Sequence, residues 1–427
     1  MPPSKTRTWV ILLAAVFALL QLANVTGRDT PDSRNYLSYA LSLRGDSKRE
    51  AAATTIDYVC AGRADEARRS QSVDVVSFRS PSRAGQVAEE CRRELWRQVD
   101  RRLRAGQTDG HTVPFTSERF RRIFEARPGY PVLLAPFVTV FGVTWGIWVS
   151  SVLVAAAGGV LAFLVLRALR APTAVALTGQ ALFYALPVGT TAMRPMTEGL
   201  LLALSLTALW GCVLALDGRP RAGAALVDGS LLLLFTVKHS QALFLGLCLV
   251  GACGVIAVRR KGLDHGPRMI AVVAGCAALG TVSAAELLNY PSTNESLQDL
   301  LAHHFTLPDR AHPWPEFLRL ESNFWVEWLR RQFWEPLFIA ALAAGAWGVL
   351  RQRPVFAAFL IAAAFSGVLN QAGHPDINIG DRLIVLAWVL PVIGVPLLLE
   401  RAASTMPTLE TPGARPALTA SRAPNLR

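Results

Sequence analysis

From residue 131 to residue 400 the chain is a succession of apolar runs joined by short, mostly basic connections. That pattern constrains the fold more than any other feature. Bilayer hydrocarbon accepts helices of about 20 apolar residues, and it tolerates no unpaired backbone amide or carbonyl group. Only 17% of residues are charged and 52% are hydrophobic, whereas ordinary soluble domains carry about 25% charged residues. The expectation is an all-α polytopic membrane protein. Lys5 and Arg7 precede a first apolar run at 8–25, read as an uncleaved helix within residues 1–27 rather than a removed signal. Residues 131–142 read as a partly inserted or interfacial helix. Further spans are expected near 144–166, 173–190, 199–216, 222–236, 242–258, 269–288, 336–350, 355–369 and 383–399, about ten transmembrane helices in all.

Charge sets the orientation. With the N-terminus inside, the short basic connections (Arg167/Arg170, Arg219/Arg221, Arg259/Arg260/Lys261/Arg268, Arg351/Arg353 and Arg401) fall on one side, as positive-inside insertion requires. This reading gives a plasma (cytoplasmic) membrane protein with both termini in the cytoplasm and a disordered tail at 401–427. The same basic residues account for the net charge of +12. No basic-plus-aromatic platform accompanies them, so nucleic acid is not an expected partner. The opposite side receives a large, mainly helical first extracytoplasmic loop at 28–130 and a second at 289–335. Residues 36–43 read as a short amphipathic segment beside the membrane. Residues 84–103 read as a soluble helix with Val87, Cys91, Leu95 and Val99 on one face. In an oxidising compartment, a disulfide between Cys60 and Cys91 is plausible. Cys212, Cys248, Cys253 and Cys276 lie in apolar segments and read as small buried hydrophobes, and no zinc-ligand spacing occurs. Trp314, Trp325, Trp328 and Trp334 resemble an interfacial aromatic belt, while His303 and His304 read as a solvated loop.

This topology gathers the unusual polar residues at outer span ends: Asp29, Asp32, Glu125, Arg127, Arg194, Glu198, Lys238, His239, Asp376, Asp381 and Arg382. Charges beside a membrane are costly unless they pair or face water, so a group of them points to a functional cavity. A carboxylate there can activate an acceptor hydroxyl or amine, and Arg or Lys can neutralise a lipid-phosphate leaving group. No P-loop or convincing dinucleotide fingerprint is present.

At these residues the chain resembles the GT-C glycosyltransferase superfamily, which includes protein O-mannosyltransferases and aminoarabinose transferases. Asp32-Ser33-Arg34-Asn35-Tyr36 resembles the Asp-x-x-x-Tyr that opens the family's first outer loop, with Ser33 in place of a common second acidic residue. Phe124-Glu125-Ala126-Arg127-Pro128-Gly129-Tyr130-Pro131, leading to Phe141-Gly142, resembles its close. The turn from Met193 to Leu200, the Thr236-Val237-Lys238 segment and Asp381-Arg382 resemble later motifs. The resemblance implies transfer of a sugar from a polyprenyl-phosphate donor to an extracytoplasmic acceptor. It makes Asp32 the expected base, with Asp29 its competitor and Glu198 the next acidic candidate. Lys238, Arg127, Arg194 and Arg382 would bind the carrier phosphate, and Tyr36, Glu125 and His239 complete the substrate-binding set. No metal or other cofactor is expected, although some members use a divalent ion. An insertion at 46–116 exceeds that of compact members and leaves the acceptor open. A transporter or flippase of a lipid-linked amphiphile, or a non-catalytic scaffold, are the alternative readings. A transporter should show repeated halves with polar breaks at mid-membrane, and no such repeat is visible.

Overall fold

The computed structural model describes residues 3–377 and 382–405. Asp381 and residues 406–427 lie outside the described residues. Among the described residues every regular element is helical: α1 (Pro3–Gln21), α2 (Ser33–Arg44), α3 (Lys48–Val73), α4 (Ala84–Arg104), α5 (Glu118–Glu125), α6 (Gly129–Ala168), α7 (Thr173–Ala185), α8 (Pro187–Ala192), α9 (Thr197–Leu216), α10 (Pro220–Arg260), α11 (His265–Leu287), α12 (Thr293–Leu301), α13 (Pro313–Trp334), α14 (Leu337–Gln352), α15 (Pro354–Ala372) and α16 (Val389–Thr405). Of the tail expected to be disordered from 401, residues 401–405 belong to α16, and 406–427 lie outside the described residues.

Six of these helices, α1, α6, α9, α10, α11 and α15, are long and apolar enough to cross a membrane. A seventh span results if α13 and α14 are one broken segment, bent by 86° where they meet. The expected run at 173–190 is divided. Pro187 at the first position of α8 forces Leu186 into extended backbone (φ −82°, ψ 169°), ending α7 there. The run at 383–399 starts as a 3-10 turn, Val385–Trp388, before α16.

Two helices conceal reversals. At about 1.5 Å per residue, α6 and α10 would each be about 60 Å long if straight, twice the bilayer's hydrocarbon thickness. Neither is straight. In α6, Gly142 adopts φ 72°, ψ 174°. A Cβ on Gly146 would then lie 2.6 Å from the carbonyl oxygen of Phe137, so the chain has doubled back on itself. In α10, Lys238 is extended (φ −163°, ψ 94°). The first leg starts beside the end of α9, where Gly223 meets Ala215. The second leg returns to that end, because Cys253 Sγ bonds the Pro267 carbonyl (3.2 Å) while Gly266 touches Ala215.

Close crossings use residues without side chains. Gly345 and Gly348 on α14 press against Gly394 on α16, and Gly211 on α9 presses against Gly223. In lipid the hydrophobic effect does not drive helices together, so close backbone approach of this kind is what holds them. One end of the bundle collects basic turns. Arg170 pairs with Asp217 (2.6 Å), and Arg353 donates to the Leu169 carbonyl (3.0 Å).

At the opposite end, α2 to α5 form a polar helical unit. A Ser47/Glu50 capping box starts α3. The Cys60–Cys91 disulfide joins α3 to α4. The buried face of α4 carries Ala84, Ala88, Cys91, Leu95 and Val99, with Ala88 rather than the expected Val87. Residues 36–43 are not an amphipathic surface segment. Tyr36, Leu37, Ala40 and Leu41 are all at most 1% exposed, and Asn35 and Ser38 are buried with them. The reason is that α2 lies between α3 and the first leg of α6, so both faces are covered.

Candidate functional site

Five helix ends converge on Arg382. Its Nε donates to Glu198 Oε1 (2.8 Å), and its Nη2 donates to the carboxylate of Asp32. Asp32 sits at the entry to α2, where its carbonyl accepts from the Asn35 amide (3.0 Å). Ser33 Oγ accepts from the Thr30 amide (2.8 Å) and so fixes that entry. Glu198 lies in the first turn of α9, where the helix N-terminus favours a negative charge. It is 2% exposed and accepts from Thr197 Oγ1 (3.2 Å).

Two more cations complete the group. Arg127 follows α5, and its Nη1 donates to the Tyr36 hydroxyl (3.4 Å). Its Nε is buried and has no partner among the described residues. Lys238 projects from the fold of α10, and its Nζ donates to Asn370 Oδ1 on α15 (2.8 Å). Asn370 Nδ2 donates in turn to the Leu383 carbonyl (2.9 Å), next to Arg382. Below this link, Gln241 bonds Ser366 (2.9 Å), tying the second leg of α10 to α15. Breaking α10 at one residue thus places a cation among the polar groups at the top of the bundle.

Arg127, Lys238 and Arg382 face Asp32 and Glu198, so the group holds one surplus positive charge. Burial pushes the Asp32 carboxyl up, but Arg382, Arg127 and Lys238 outweigh it and hold Asp32 below its usual range. Asp32 therefore stays ionised and is a weak proton acceptor near neutrality. Burial raises the Tyr36 phenol against the pull of Arg127, which leaves it a neutral hydrogen-bond donor. Arg382 spends two of five N–H donors on its carboxylates, and the remaining fork is suited to a phosphate oxygen.

The structure brings Asp32, Tyr36, Arg127, Glu198, Lys238 and Arg382 together. It takes Asp29, Glu125 and Arg194 elsewhere, and leaves His239 beside Lys238 and Arg127 but outside their hydrogen bonds. Asp29 turns toward α3, 3.0 Å from where a Cβ on Gly62 would lie, with Arg63 and Glu66 as its charged neighbours. Burial raises its pKa. Glu125 anchors a loop, with Oε1 accepting from the His111 amide (2.9 Å) and from the Thr112 amide and hydroxyl (2.7 Å each). Arg194 is exposed. His239 tilts against Tyr290, with ring centroids 5.3 Å apart, and its buried Nδ1 has no partner among the described residues.

Residues the sequence left aside also reach this end. Asn370 is one. Others are Asp299, His304 and His374, which share an electrostatic neighbourhood with Lys238 and Asp32. The paired His303-His304 is the available signal in the sequence, where it is indistinguishable from a solvated loop. Among the described residues no three His, Cys, Asp or Glu side chains form a metal-ligand set.

A groove of about 630 Å³ runs between the second leg of α10 and α15. Leu247, Gly251, Val255, Ala358 and Phe365 line it, and Arg259 stands at its far end. Phe365 lies five residues before Asn370 on the same helix, so the groove approaches the cationic group from below. No protein-family profile, no curated protein and no solved structure matches this chain.

Proposed function

We propose that the chain is a glycosyltransferase that moves a sugar from a polyprenyl-phosphate donor to an acceptor outside the cytoplasm. The observation that carries this reading is the Arg382 bridge between Asp32 and Glu198, flanked by Arg127 and Lys238. Such a group offers a phosphate three cationic neighbours beside two carboxylates. The phosphate displaces part of the Arg382 pairing, and the freed carboxylates face the sugar as positive charge develops at its anomeric carbon. The apolar groove between the second leg of α10 and α15, whose upper end at Phe365 is five residues short of Asn370, accommodates the isoprenoid tail. In this account the finer topology is about ten spans: α10 counts as two, and α7, α14 and α16 each count as one. The polar unit α2–α5 then lies outside, and the basic turns lie in the cytoplasm.

The likeness to GT-C enzymes at Asp32-to-Tyr36 and around Glu198 supports the reading. Both segments of that likeness meet at Arg382, although they lie far apart in the chain. Purified protein given a radiolabelled polyprenyl-phosphate sugar should transfer it to an acceptor fraction. Glu198→Gln and Lys238→Gln should each slow transfer by about 10²-fold, the usual cost of removing one preorganised charge. Uniform inactivity with every donor would leave a flippase or scaffold as the better account.

A further inference from the structure

The loop after α12 presents a second chemical feature at the same end. His304 Nδ1 lies 3.1 Å from Asp299 Oδ1, and the His304 amide bonds the Asp299 carbonyl (2.8 Å). Asp299 is buried, whereas the His304 side chain is 46% exposed. The backbone between α12 and α13 is unusual. His303, His304 and Phe305 all have positive φ, of 48°, 57° and 58°. Residues with side chains rarely take that region, and such backbone persists where its surroundings over-determine it. Here α5 supplies the clamp. Arg119 pairs with Glu295 (3.1 Å) and Asp309 (2.9 Å) on either side of the loop and covers the Phe305 ring (4.2 Å). Phe120 meets the His304 ring at 4.5 Å.

This geometry fixes one imidazole. With Nδ1–H donated to the Asp299 carboxylate, the lone pair of Nε2 is left to accept a proton. Asp32, which faces Arg127 and Lys238 as well as Arg382, is the weaker proton acceptor even when a phosphate takes part of the Arg382 pairing. We infer that His304, oriented by Asp299, is the base that deprotonates the acceptor in the transfer reaction; this rests on the transferase reading above. The acceptor oxygen bonds the anomeric carbon as its proton passes to His304 Nε2. The carbon–oxygen bond to the donor phosphate breaks, and its electron pair stays on the phosphate beside Arg382 and Lys238. The exposed edge of His304 then releases the proton to water.

The groups facing His304 are its neighbour His303, with ring centroids 5.7 Å apart, Asp299 on α12, Asp32 at the start of α2, and Asp376 and His374 beyond α15. From α5 comes the Phe120 ring, with Arg119 already paired. Hydrogen bonding to Asp299 raises the His304 pKa against the effect of burial.

The test combines a titration with a rate profile. Histidine-labelled protein in detergent micelles, followed by NMR, should show one imidazole titrating above the ordinary value. That signal should vanish in His304→Gln and move down in Asp299→Asn. Transfer should fall on the acid side with the same midpoint in wild type. His304→Gln should lose that limb and about 10²-fold in rate, Asp299→Asn should shift the limb to lower pH, and His265→Gln, at the opposite end of the bundle, should leave both unchanged. If no imidazole titrates in this way, the dyad does not exist and the inference falls, whatever the transfer activity. If the wild type transfers sugar and His304→Gln keeps its rate and limb, the base is elsewhere. If the titration is found but no donor is used, the transferase reading fails and the assigned role falls with it.

Discussion

Arg382 is the residue on which the account turns. It is the shared partner of two carboxylates, one of them 3% exposed. Removing one member of such a group leaves uncompensated buried charge, at a cost of about 3–5 kcal/mol. Arg382→Ala should therefore lower the unfolding temperature markedly in detergent, and adding Asp32→Asn should recover part of the loss. Additive losses in that double-mutant cycle would deny the coupling. A second prediction concerns pH. Burial lowers the His374 pKa from 6.5 to about 4, although Asp299 opposes it. The unfolded chain takes up this proton near 6.5 and the folded chain only near 4. Stability is thus fully present above about 6.5 and is lost as pH falls toward 4, by up to about 3 kcal/mol. His304 acts with the opposite sign: its raised pKa adds stability below the unfolded value, which is lost as pH rises through the folded one. The wild-type minus His374→Gln difference in melting temperature across that interval isolates the effect, and a flat difference would refute it. Asp32, Glu198 and Arg382 were legible because charge at an outer span end is conspicuous. The choice between Asp29 and Asp32 was not, because the Thr30-Pro31 turn sends two neighbouring carboxylates to different partners. Nor was Asn370, whose bond to Lys238 spans 132 residues of sequence.

At the scale of elements, the breaks matter more than the helices. Phe141-Gly142 and Val237-Lys238 were both expected to interrupt apolar runs, and both do so. Gly142 at φ 72°, ψ 174° occupies a region open almost only to glycine. Gly142→Ala should cost about 1–3 kcal/mol, read as a lower melting temperature, whereas Gly254→Ala, with open space around it, should not. Equal melting of the two variants would remove the strain argument. In the polar unit, Cys60→Ser opens a 31-residue loop and should lower stability by about 3 kcal/mol. An unchanged melting profile under reductant would show that the staple is dispensable. The burial of α2 escaped sequence reading for a physical reason. Its pattern specifies one apolar face, and only the arrival of α3 and α6 closes the other. The second long loop, by sequence a loop with a tryptophan belt, escapes for a similar reason. It contains α12 and α13, and the right-angle junction of α13 with α14 depends on tertiary packing.

For the whole molecule, the all-helical architecture, with several helices long and apolar enough to cross a membrane, was legible from hydropathy alone. The number of spans was less so, because Pro187, Lys238 and the 3-10 turn at Val385–Trp388 divide the apolar runs into pieces of uneven length. Orientation can be tested directly, with the four unpaired cysteines replaced by alanine. A membrane-impermeant maleimide should label Val76→Cys, in the exposed α3–α4 connection, on intact cells. Lys261→Cys should label only after permeabilisation, and the reverse order would invert the topology. The central claim is that one cationic group recognises a lipid phosphate and enables transfer. It is tested most directly by reconstituting wild type and Arg382→Lys in liposomes with a radiolabelled polyprenyl-phosphate sugar. Lysine keeps the charge but lacks the planar fork that holds both carboxylates. The account predicts transfer by wild type and a loss of about 10²-fold in Arg382→Lys. Equal transfer by the two proteins, or none by either with any donor, would contradict it.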